Sequence, residues 1–157
     1  MKTASINEIK IELSNTNYNE LLEICLKVIK YKKENKELVN YLLFEANDLP
    51  GYVEKIKNEM EDAFKAINKS NIYFAKKSLR KILKTTNKYI KYIPSKEAEA
   101  ELLIFYCQKI KKSGIVINKS TALTNIYANQ VKKIQSIVAS LHPDLQFDYA
   151  KQIDILL

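Results

Sequence analysis

Residues 72–93 read IYFAKKSLRKILKTTNKYIKYI, and this stretch sets the fold class. At about 100° per residue, Ala75, Leu79, Ile82, Leu83, Tyr89, Ile90 and Ile93 gather on one side of a helix. Lys77, Lys81, Lys84, Lys88 and Lys91 fall within an arc of roughly 80° on the opposite side. Apolar residues recurring at i, i+3 and i+4 mark a helix that buries one face. Pro94 ends it, because a proline pushes the residue before it out of helical geometry. The pattern predicts that Lys77, Lys81, Lys84 and Lys88 are exposed and that Leu79, Ile82, Leu83, Tyr89 and Ile90 are buried. Leu83→Ala should then cost about 2–5 kcal/mol, the usual range for a core leucine.

The same period runs outward in both directions. Upstream, Ser5 with Glu8 forms a capping-box pattern that opens a short helix through Leu13, and Asn17 with Glu20 repeats the signal. The second helix carries Leu21, Leu22, Cys25, Val28 and Ile29 on its stripe and should fray near Lys32. Asn35 is the expected cap of a third helix with Leu38, Val39, Leu42 and Leu43, which stops before a turn at Leu49-Pro50-Gly51. A fourth helix carries Tyr52, Val53, Ile56, Met60, Phe64 and Ile67 and breaks at Asn68-Lys69-Ser70-Asn71.

Downstream of the opening stretch, Ser95 caps a sixth helix with Ala98, Leu102, Leu103, Tyr106 and Ile110, and Gly114 sits where a left-handed terminator belongs. A seventh, long helix runs from about Ser120 to Leu141, and Pro143 fits the first turn of an eighth. The fold class is all-α: about eight helices in antiparallel hairpins, with a short HEAT-like solenoid of stacked pairs as the preferred arrangement and an irregular helical bundle as the alternative.

Composition agrees. Two glycines and three prolines leave almost nothing for the turns of an all-β domain. A length of 157 residues fits a single helical domain, 1–157, with enough surface to bury a core unaided by metal or disulfide. Cys25 and Cys107 both lie in apolar helical stretches, where a free cysteine behaves as a small buried hydrophobe. Met1 to Lys10 holds no apolar run of the signal-peptide kind, and no apolar run approaches the roughly 20 residues of a membrane span. The expected location is the cytoplasm.

A resemblance adds to this. The run Ala75-x3-Leu79, Tyr89, Pro94, Ala100-Glu101-Leu102-Leu103 and Tyr106-Cys107, then a long helix and Leu145-Gln146-Phe147-Asp148-Tyr149, resembles a family of small all-helical bacterial proteins of uncharacterised function. It covers the C-terminal two thirds of the chain. The resemblance implies an all-helical fold and carries no catalytic residue onto any position.

No constellation for chemistry stands out. His142 is the only histidine, and one histidine with two cysteines far apart in sequence is no metal-ligand pattern. Glu97 and Glu101 share a helical face but lack the Glu-x-x-His partner of di-metal bundles, and they sit where acidic residues complement a helix N-terminus. Two glycines cannot build a phosphate loop, and no nucleophile motif is present. The expectation is a protein that is not an enzyme, with no catalytic, cofactor-binding or metal residue to assign.

What remains is charge. The chain carries a net +8, yet no acidic residue falls between Asp62 and Glu97, an interval holding ten basic ones. Lys77, Arg80, Lys81, Lys84, Lys88 and Lys91, flanked by Tyr73 and Tyr92, form a candidate surface for an anionic partner. A protein with an acidic surface is one such partner. Nucleic acid, held without sequence preference through phosphate contacts and aromatic stacking, is the second. Against the second stands composition, since Arg80 is the only arginine, the residue suited to bidentate phosphate contact. A plain solvated face is the competing account, as it is for any charge run.

Overall fold

The structure is a computed structural model and describes residues 2–157. Among the described residues it is all-helical, with eight α-helices and no strand. The chain divides into two compact units, Met1–Glu45 and Ala46–Leu157.

The first unit holds α1 (Ile6–Asn15), α2 (Tyr18–Tyr31) and α3 (Lys33–Asn40), which runs on into a π-helical turn, Tyr41–Glu45. The Ser5/Glu8 capping box forms as expected, with the Ser5 N–H donating to Glu8 at 2.7 Å, and Asn17 caps α2. Asn35 does not cap α3. That place falls to Lys32, and the Asn35 amide instead donates to the Val28 carbonyl at 2.7 Å, tying α3 to the last turn of α2. The expected apolar stripe is only partly covered: Leu21, Ile29 and Val39 are half-buried, while Leu22, Val28, Leu42 and Leu43 are exposed. A segment of this length lies near the lower limit for closing a core of its own.

Cys25 sits on that uncovered surface and is exposed, against the expectation of a core thiol, whereas Cys107 is fully buried. Burial pushes the Cys107 thiol up to about 12, with a weak opposing pull from Lys111. The thiolate is the reacting species. A thiol-disulfide reagent at neutral pH should therefore label one cysteine in the folded chain and the second only in denaturant. Rapid labelling of both in native buffer would place Cys107 outside the core.

The second unit runs α4 (Leu49–Lys65), α5 (Ile72–Ile90), α6 (Lys96–Lys112), a short 3-10 turn (Ile117–Lys119), α7 (Thr121–Ala139) and α8 (Pro143–Leu156). Leu49-Pro50-Gly51 is not a turn but the first turn of α4. Asp48 caps it by accepting from the Gly51 N–H at 3.0 Å, and a proline there gives up an N–H that the helix leaves unpaired anyway. Asn71, Ser95 and His142 cap α5, α6 and α8 with their side chains, and Gly114 adopts φ +75° as expected.

α6 lies at the centre of an irregular bundle and packs on α4, α5, α7 and α8. Its buried residues, including Ala98, Ala100, Leu102, Ile104, Tyr106 and Cys107, cover more than one face, as suits a helix surrounded by others. The far end of the bundle is tied by two bonds to the free carbonyls of α8, from Lys111 Nζ to Ile155 and from the Tyr127 hydroxyl to Leu156.

Candidate functional site

α5 is held on two sides, by α4 and by α6. Its buried residues are Ala75, Leu79, Ile82, Thr86 and Ile90. On a helical projection Thr86 lies at the middle of this set, directly opposite the lysine arc. A threonine is tolerated there because its hydroxyl donates to the Ile82 carbonyl at 3.0 Å, so no polar group is left bare. The true axis of the core face accounts for two corrections. Leu83 and Tyr89 fall about 60° to either side of it and are half-buried, not buried.

The lysines follow the expected phase with one exception. Lys77, Arg80, Lys81, Lys84 and Lys91 are exposed. Lys88 is half-buried instead, because its stem lies along the protein and its ammonium stands 4.8 Å from the Tyr89 ring centre. Of the flanking aromatics, Tyr73 is 60% exposed, packs edge-on against Phe74 and receives Lys76 over its ring. Tyr92 is half-buried against Tyr89.

Elsewhere in the unit some lysines are paired with carboxylates, while Lys112, Lys119 and Lys132 are exposed without an ion pair among the described residues. Lys57 bonds Glu101 at 2.5 Å and Lys109 bonds Glu61, so two ion pairs cross between α4 and α6, with the Phe105 ring under both ammonium groups. Lys133 of α7 and Lys96 both reach Glu99, at 2.8 and 3.3 Å. Among the described residues, Lys77, Arg80, Lys81, Lys84 and Lys91 form no ion pair. The imbalance also belongs to this unit alone. Residues 1–45 hold seven lysines and seven glutamates, so the whole net +8 resides in Ala46–Leu157.

Glu99 offers a handle on acid stability. Burial raises its pKa, but Lys133 and Lys96 outweigh burial and hold the carboxyl below its ordinary value of 4.5. A carboxyl with a depressed folded pKa contributes stability that is present above the unfolded value and fades as pH falls through the folded one. Denaturant melts from pH 6 down to pH 3 should therefore show a smaller loss for Glu99→Gln than for the parent chain. Equal losses would mean that the two lysines contribute nothing.

The remaining candidates for chemistry are occupied with structure. His142 is exposed and caps α8, its Nδ1 accepting from the Asp144 N–H at 3.4 Å. Glu97 lies exposed in the first turn of α6, apart from the Glu101–Lys57 pair. Among the described residues no helix is long and apolar enough to cross a membrane. No family model, no curated protein and no solved structure matches the chain.

Proposed function

We propose that the protein is a non-catalytic helical scaffold that binds the acidic surface of another protein through the ridge of α5. The observation that carries this is the clustering on one helix: Lys57, Lys109 and Lys133 are paired with glutamates, whereas Lys77, Lys81, Lys84 and Lys91 stand together on one side of α5, exposed without a carboxylate. Like charges one turn apart repel, and a partner that neutralises them gains from relieving that repulsion as well as from attraction. Two free cysteines fit a reducing compartment, so the protein acts in the cytoplasm.

Sequence-independent nucleic-acid binding is the second reading, and the exposed Tyr73 and Phe74 beside the ridge favour it. Titration of the full chain with a labelled Glu/Ala peptide of about twelve residues and with a short DNA duplex, each at two salt concentrations, separates the two. The peptide should bind more tightly than the duplex, and the combined variant Lys77→Glu, Lys81→Glu, Lys84→Glu should lose about tenfold or more in affinity. Tighter duplex binding with a log–log salt slope near −4 to −5, the signature of about five phosphate contacts, overturns the protein-partner reading in favour of nucleic acid. Binding of neither ligand leaves the ridge a solvated face.

A further inference from the structure

Beside the ridge, α4 and α5 do not close on each other. A groove of about 410 Å³ runs between them, floored by Ile56, Met60 and Ile82 and walled by Ala63 of α4 and Ser78 of α5. It exists because the facing positions carry small side chains where bulkier ones would interlock. Its volume falls within the range of ligand pockets. One edge belongs to the ridge itself, since Lys81 lines the groove, with Lys77 and Lys84 one turn to either side of it. The acidic residue on the opposite edge, Glu59, is already engaged by the Tyr89 hydroxyl at 3.0 Å. The next two carboxylates along α4 are also paired, Glu61 with Lys109 and Asp62 with Lys65.

We infer that this groove is the anchor pocket for the ridge's partner: an acidic segment of another protein seats one aliphatic or aromatic side chain between Ala63 and Ser78 while its carboxylates meet Lys77, Lys81 and Lys84. The inference rests on the proposed acidic protein partner and adds what that reading lacks, a feature that selects among acidic surfaces. Charge alone steers encounter and is read by any polyanion, whereas an apolar anchor in a pocket beside the charge contributes affinity only for the segment that carries it. The charge argues for this occupant. A purely apolar partner would leave Lys81 at the rim and its ridge neighbours Lys77 and Lys84 without relief, and a basic one would be repelled by them.

The Glu/Ala peptide and a second version with one central leucine, titrated against the full chain, test the pocket apart from the ridge. The leucine peptide should bind about tenfold more tightly, the gain for enclosing most of one aliphatic side chain. Ala63→Trp, which fills the groove, should abolish that difference and leave binding of the leucine-free peptide intact. Ser78→Trp fills it from the opposite wall and serves if the first variant loses its helical circular dichroism. Equal affinity for the two peptides in the parent chain, or a leucine advantage that survives both fillings, overturns the pocket while the ridge reading stands. Loss of binding to both peptides on charge reversal, with the leucine advantage present beforehand, supports both. Binding of both peptides that ignores charge reversal overturns the ridge reading and the pocket with it.

Discussion

Replacing Tyr106 with alanine should destabilise the second unit by about 3–5 kcal/mol, the range for deleting a large aromatic from a core, with Tm falling on the order of 10–20 °C. Tyr106 is fully buried on the central helix, its ring tilted against Phe64 at 5.8 Å between centres. Its hydroxyl donates to the Leu79 carbonyl at 3.0 Å, which fixes α5 against α6. Burial holds the phenol well above its ordinary pKa, so it is a neutral donor at neutral pH. Tyr106→Phe keeps the packing and removes the single bond, and should cost about 1 kcal/mol. Denaturant melts of the two variants, followed by far-ultraviolet circular dichroism, give both numbers. An alanine variant within about 1 kcal/mol of the parent would remove α6 from the centre of the bundle.

Leu79→Ala carries the next largest effect, about 2–5 kcal/mol. Leu79 is 1% exposed and sits on the core face of α5, and its own carbonyl receives the Tyr106 hydroxyl. It takes the role expected from the sequence for Leu83, whose half-buried position at the edge of that face makes Leu83→Ala the milder change. Charge reversal at Lys77 and Lys81 on the opposite side should shift stability by less than about 0.5 kcal/mol each, as exposed substitutions do. Because Leu79 and Tyr106 touch, their combined loss should differ from the sum of the single losses. Thermal melts in which the lysine variant unfolds early and Leu79→Ala does not would invert the helix phase and remove the ridge.

Most of the helical pattern is legible in the sequence, for reasons that differ by element. Ser5 with Glu8, Asn17 and Ser95 mark helix starts because a short polar side chain there satisfies an amide that no carbonyl can reach. Val53, Ile56, Met60 and Phe64 read directly as core because α4 has one wet face and one dry one. Leu49-Pro50-Gly51 misleads because the same residues that punctuate a turn also suit the first turn of a helix, and only the Asp48 cap distinguishes the two.

Ala100 and Ile104 escape a single-stripe reading because α6 is buried on more than one face. Thr86 escapes because its polarity is cancelled by a bond to its own helix, a local event that the residue type does not advertise. The division after Glu45 carries no Gly- or Pro-rich linker to mark it. At the candidate site the lysine phase is legible from spacing alone. The absence of ion pairs and the groove beside Lys81 are not, because both depend on which residues of α4 face α5.

The most direct test of the ridge is a lysine acetylation footprint of the full chain, read by mass spectrometry with and without a saturating amount of the leucine-bearing acidic peptide. In the free chain Lys77, Lys81 and Lys84 should react as readily as the exposed Lys119 and Lys132, which lie away from α5. With the peptide bound, the first three should become protected while Lys119 and Lys132 keep their reactivity. Protection spread evenly over every exposed lysine, or absent from α5, would contradict a partner seated on this helix.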